Sequence, residues 1–155
     1  MSAAHVHRRI NAPIDRVWRA ATDVAGAAGR LRGVESIEHL TDGPFRVGTR
    51  WRETRLVGGQ RSTEEMHVVE TTPPRLFVLD VSSGGATARS TTTLTAAGPA
   101  ATEVEISLET RPPSAVGRVV GVFFGVLAAR AVLATLNRDL DDLARWCERQ
   151  ENAGR

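Results

Sequence analysis

Lysine and tyrosine are absent from this chain of 155 residues, cysteine occurs once, and aromatic residues amount to 5%. With no lysine, all 20 basic residues are arginine, set against 18 acidic residues for a formal charge of +2. A guanidinium keeps its proton where an ammonium begins to lose it, so the high isoelectric point reflects side-chain type and not a large basic excess. A small, scattered excess with few rings to stack bases argues against nucleic acid as a partner. The densest basic run, Arg46, Arg50, Arg52 and Arg55, places Arg50 and Arg52 on one strand face and reads as a solvated, mixed-charge surface.

The single cysteine, Cys147, has no partner for a disulfide within the chain, which suits a reducing, cytoplasmic setting. Between Trp146 and Glu148 it has no evident base, so it reads as a packed thiol and not as a nucleophile. Residues Met1 to Ile10 lack the uninterrupted apolar core of a secretory signal. Metal-ligand spacing is missing as well: His5 and His7 share a strand face with no third ligand nearby, and His39 and His67 stand apart. No cofactor is expected. Gly58-Gly59 and Gly84-Gly85 read as hairpin turns, not as a phosphate cradle.

What the chain does contain is a hydrophobic content of 41%, enough for one continuous core, so residues 3–150 are expected to form a single domain with 151–155 as a disordered tail. Alternation through Val6, Arg8 and Ile10 predicts a first strand, and Asn11-Ala12-Pro13 predicts its turn into a helix. Ile14, Val17, Trp18 and Ala21 then share one helical stripe up to Gly26, with a second helical turn or loop reaching Leu31. From Gly33 to Arg111 the pattern turns extended. Strands are expected at Val34 to Leu40, Gly48 to Leu56, Ser62 to Glu70, Leu76 to Ser82, Thr87 to Thr95 and Thr102 to Thr110. The separators between them are too short for parallel crossovers, so the strands form an antiparallel meander.

After Pro112-Pro113 a long helix is expected from Ser114 to Gln150, broken near Gly121 or Gly125. Val116, Val120, Phe123, Phe124, Leu127, Ala131, Leu136, Leu140 and Leu143 form its apolar side, while Arg138, Asp139, Asp141, Asp142, Arg145, Glu148 and Arg149 form an exposed polar face. Gly117, Gly121 and Gly125 stand at the spacing of membrane helix dimers, but Arg118 and Arg130 leave too short an uncharged run for a transmembrane span. The apolar start of the helix reads first as ordinary core packing, with transient contact with a membrane surface or a second subunit as the alternative, and a monomer or a homodimer is expected.

Several local motifs fall in a familiar order: Ile10-x-Ala12-Pro13-x-x-x-Val17-Trp18, Val47-Gly48-Thr49-Arg50, Pro73-Pro74-Arg75, Thr102-Glu103-Val104 and Leu136-x-x-x-Leu140-x-x-Leu143. With the order of elements, they resemble the START-like, Bet v 1-like superfamily (SRPBCC) in its polyketide cyclase/dehydrase-like branch. The resemblance implies an α+β helix-grip fold, in which a curved antiparallel sheet of six to seven strands wraps a long C-terminal helix after two short helices. It also implies a cavity for a small, largely apolar molecule. On that basis Trp51, Met66, Val68, Phe77, Leu79, Val104, Ile106, Phe123 and Leu127 are expected to form the apolar wall. Glu53, Ser90 and Thr92 are the expected polar anchors, because period two carries Glu53 and Arg55 inward with Trp51, and Thr92 and Ser90 inward with Leu94. An ion pair between Glu53 and a neighbouring arginine is an equal alternative for that carboxylate. With no nucleophile, metal triad or paired acid and base in view, binding or carriage of a hydrophobic or amphipathic molecule (lipid, polyketide or similar) is preferred. A polyketide aromatase/cyclase or dehydratase and a non-enzymatic interaction or stress-response module are the alternatives.

Overall fold

The structure, a computed structural model, describes residues 2–57, 59–111 and 117–153, and the side chains of 4–56, 59–111 and 129–149. β1 (Ser2–Ile10) leads through Pro13 into α1 (Ile14–Thr22) and a single turn, α2 (Ala27–Arg30). The meander follows as β2 (Val34–His39), β3 (Arg50–Val57), β4 (Gln60–Thr72), β5 (Leu76–Ser83), β6 (Ala86–Ala96) and β7 (Thr102–Arg111), and α3 (Gly117–Ala153) ends the chain. The sheet has seven strands in the order β1-β7-β6-β5-β4-β3-β2. Every neighbouring pair is antiparallel, and the first strand pairs with the last. This is the helix-grip architecture.

Local chemistry explains the breaks. Pro13, with φ −60° and ψ 148°, occupies the position just before α1 and accepts the first helical bonds from Arg16 and Val17. Gly84 and Gly85 both have positive φ, 55° and 84°, as the tight turn from β5 to β6 demands. In β4 the two adjacent valines, Val68 and Val69, disturb the alternation, and the pairing with β5 shifts between Val68 and Glu70. Val69 is the extra residue of that bulge, which lets β4 bend while Met66 and Val68 keep facing inward.

The main core lies where β1, β6 and β7 meet α1 and the C-terminal half of α3. Ile10, Val17, Leu94, Val104 and Leu140 are almost wholly removed from solvent there. Helix α3 is continuous, without the expected break near Gly121 or Gly125, and it runs past Gln150 to Ala153. The side chains of Val116, Val120, Phe123, Phe124 and Leu127 lie outside the described residues.

The polar face of α3 departs from expectation. Asp142 is 4% exposed and accepts hydrogen bonds from the Arg32 backbone N–H (2.9 Å) and Nε (2.8 Å), while Arg145 reaches the same carboxylate at 3.1 Å. Asp139 also turns inward, toward Arg55. Both aspartates flank the Leu136, Leu140 and Leu143 stripe and are met by arginines reaching over from β3 and from the connection after α2, which leaves Asp142 buried and Asp139 half-buried. An amphipathic pattern marks the stripe but not what meets its borders.

Candidate ligand cavity

Between the concave face of the sheet and α3 lies a cavity of about 720 Å³. Strand alternation builds its wall: Trp51, Glu53 and Arg55 from β3, Glu64 and Met66 from β4, Phe77, Leu79 and Val81 from β5, Ser90 and Thr92 from β6, and Val104, Ile106 and Leu108 from β7. From α3 come Val132, Thr135, Leu136, Asp139, Leu140 and Leu143. The lining is thus mostly aliphatic and aromatic, with hydroxyls on β6 and a charged group near α3.

Of the residues singled out in the sequence, Trp51, Glu53, Met66, Phe77, Leu79, Ser90, Thr92, Val104 and Ile106 line this space together. Val68 does not. It is fully buried in a cluster with Trp51 and Met66 that Phe45 packs against. The loop before β3 seals that stretch, as Gly48 N–H donates to Val68 C=O and Val68 N–H to Thr49 C=O, each at 2.9 Å. Phe123 and Leu127 lie outside the described side chains.

An aromatic group forms one part of the wall. Phe77 meets Trp18 of α1 edge-on at 5.7 Å between centroids and Phe45 at 5.5 Å, and Phe45 in turn lies 6.4 Å from Trp51. Phe45, on a loop with no periodicity, carried no signal in the sequence.

The charged group centres on Arg55. Its Nε donates to Glu53 at 2.7 Å and its Nη1 to Asp139 at 3.0 Å, while Trp51 Nε1 donates to the other Glu53 oxygen at 3.3 Å. Glu53 is inward-facing, 5% exposed, and ion-paired with Arg55. Glu64 stands directly across from Glu53 in the β3–β4 register. Burial by itself would lower the Arg55 guanidinium, but Asp139 and Glu53 outweigh it and hold it above its ordinary value. Burial pushes the Glu64 carboxyl up, and Glu53 and Asp139 add to this against the pull of Arg55. Burial likewise raises Asp139, opposed by Arg55 and assisted by Glu53 and Asp142. Asp139 Oδ1 is buried with no hydrogen-bond partner among the described residues.

Glu64 and Asp139 were not singled out in the sequence. Glu64 precedes Met66 by one pleat, so the period that placed Met66 could have found it. Arg30 on α2 also lines the cavity with a side chain 4% exposed, its Nη2 donating to the Asp23 backbone carbonyl at 3.0 Å. Its charge sat outside every periodic pattern.

On the outer sheet face, Arg52 pairs with Glu38 (3.5 Å) and Glu65 (3.7 Å), and Arg50 lies 3.9 Å from Glu65, which makes a mixed-charge surface. Among the described residues there is no group of three or more side chains suited to a metal ion, and no helix long and apolar enough to cross a membrane.

A family model described as polyketide cyclase/dehydrase and lipid transport matches residues 1–148. No curated protein matches the chain. Among solved structures, a START superfamily protein from Mycobacterium smegmatis superposes with TM-score 0.76 at 12% identity, covering 96% of this chain and 98% of the other. A protein from Thermus thermophilus gives TM-score 0.75 at 22% identity, covering 93% and 95%. The aromatase/cyclase from Streptomyces sp. R1128 gives 0.70 at 19%, covering 93% and 95%. At such identities the likeness is one of fold, and one fold hosts many functions.

Proposed function

Because the chain belongs to the polyketide cyclase/dehydrase and lipid transport family, in the START-like superfamily, we propose that it binds and carries a small molecule with a largely apolar body. The observation that carries this reading is the cavity itself, about 720 Å³ with an apolar wall and a polar group concentrated around Arg55. That volume falls within the roughly 300–1,000 Å³ of small-molecule sites. Apolar contacts would supply most of the affinity, and Ser90, Thr92 and the Arg55 cluster would orient the ligand. Residues 3–150 act as one unit in this reading, and the lone buried thiol is in keeping with a cytoplasmic setting. Native mass spectrometry of freshly purified protein, paired with titration of an apolar fluorophore, tests it. A co-purified or bindable species of a few hundred daltons is expected, on the order of what such a volume holds. Failure of every apolar probe to enter the cavity would sink the proposal.

One observation favours catalysis as a second reading. Glu64 and Asp139 are cavity-lining carboxyls held above their ordinary values, which is the property a general acid needs. A cyclase or dehydratase using Asp139 should keep its substrate affinity in Asp139→Asn and lose turnover by roughly 10²–10⁴. A pure carrier should show only a change in affinity.

A further inference from the structure

The charges around the cavity do not balance locally, and the imbalance bears on the chemistry of the ligand. Glu53, Glu64 and Asp139 face one guanidinium, Arg55, and all four line the cavity. That guanidinium is already committed, to Glu53 through Nε and to Asp139 through Nη1. It is not free to receive an anion. Meanwhile one acceptor, Asp139 Oδ1, is buried without a partner among the described residues, and an unmatched buried acceptor costs free energy until a donor meets it.

Two further cations line the space. Arg111 is exposed at the end of β7. Arg30 is buried and engaged by Asp23, with Nη1 3.5 Å from the carboxylate and Nη2 on the backbone carbonyl. Arg30 Nε lacks a partner among the described residues although its side chain is 4% exposed. This donor stands apart from the carboxyls, on the α2 side of the same lining. A single N–H on an arginine already paired offers a place for a neutral ligand oxygen.

Resting on the reading of this cavity as a carrier site, we propose that the ligand bears a protonated amine on its apolar body, seated against Asp139 and Glu64. The amine supplies the donor that Asp139 Oδ1 lacks and the positive charge that the carboxyls around Arg55 lack. Both carboxyls are largely removed from solvent, so that attraction is screened less than between fully exposed charges. A carboxylate head would instead meet three acidic side chains and an occupied guanidinium.

The test compares dodecylamine, dodecan-1-ol and laurate by isothermal titration calorimetry at neutral pH, each below its micelle concentration. Each has twelve carbons, but the carboxyl of laurate takes one of them, so its apolar chain is one methylene shorter, worth about 0.8 kcal/mol, and the margin expected for the head group exceeds that difference. The protein's formal charge of +2 would by itself favour laurate, which makes the expected order a stringent one. Dodecylamine should bind tightest, by at least about tenfold over laurate, or about 1.4 kcal/mol. The ratio should shrink toward unity in Asp139→Asn and in Glu64→Gln, two variants that remove charge at different elements. Laurate binding as tightly as the amine or more so, the result expected if Arg30 were the anchor, overturns the proposal. Equal binding of all three probes, or an amine preference that survives in both variants, also overturns it while leaving the carrier reading intact. If no probe binds and no apolar fluorophore enters, both fall.

Discussion

Replacing Arg55 by methionine tests the energetics of the cavity most directly, because the change keeps a long apolar stem and removes the positive charge that Glu53 and Asp139 share. Breaking a buried ion pair by removing one partner costs about 3–5 kcal/mol, since the remaining charges stay buried and unmatched. Against the roughly 5–15 kcal/mol of a typical domain, the variant should still fold. A domain of this size loses about 2–4 °C of Tm per kcal/mol, so Tm should fall by roughly 6–20 °C. The loss should also depend on pH in a defined direction. Without the guanidinium, Glu64 and Asp139, already above their ordinary values, move further up. The folded variant then binds protons that the unfolded chain releases, and its stability rises as pH falls from neutral. Urea unfolding followed by circular dichroism at several pH values measures both effects, and adding Asp139→Asn should recover part of the loss. A deficit below about 1 kcal/mol at neutral pH, or one that grows on acidification, would refute the reasoning, given the cost expected for such a pair.

The parent protein should show a weaker form of the same pH response. Glu64 and Asp139 lie above 4.5 and 3.8 in the folded state, so the folded chain binds more protons and stability should rise as pH drops toward those values. Below them it should fall, as Glu35 and Asp80, held low by their hydrogen bonds with Arg61 and Arg89, become protonated. A steady decline from neutral pH downward would contradict this. Asp142→Ala removes the acceptor that ties the Arg32 backbone and side chain to α3 and should cost about 2–3 kcal/mol in chemical denaturation; a neutral result would mean the tie contributes nothing. Leu94→Ala, at a side chain 1% exposed, should cost about 2–5 kcal/mol in the same assay. Burial pushes the Cys147 thiol up to about 11, so a disulfide reagent at mild pH should label it only in urea. Rapid labelling of the native protein would show the thiol to be accessible.

Much of this molecule was legible along the chain because the signals were local. Alternation in β7, with Val104 and Ile106 inward and Glu103 and Glu105 on the opposite face, needs only the pleat. The turn at Gly84-Gly85 needs only two residues with positive φ. The same pleat rule carried Trp51 and Glu53 into the cavity together, along with Thr92 and Ser90. Facing inward did not suffice at Val68, which keeps its inward face beside the bulge but is covered in a cluster with Trp51, Met66 and Phe45 and does not reach the cavity wall.

The sequence by itself determined the elements, their order and the facing of each strand, because propensity, pleat and turn chemistry act between near neighbours. Tertiary structure alone decided the charged pole of the cavity. Asp139 and Asp142 belong to what reads as a solvated helix face, yet Asp142 is buried and Asp139 half-buried where Arg55 and Arg32, at separations of 84 and 110 residues, reach α3. Glu64 joins the group only through the β3–β4 register that sets it opposite Glu53. The electrostatics of the cavity comes from such long-range pairings, since a charge takes its character from the water it loses and the partners it gains.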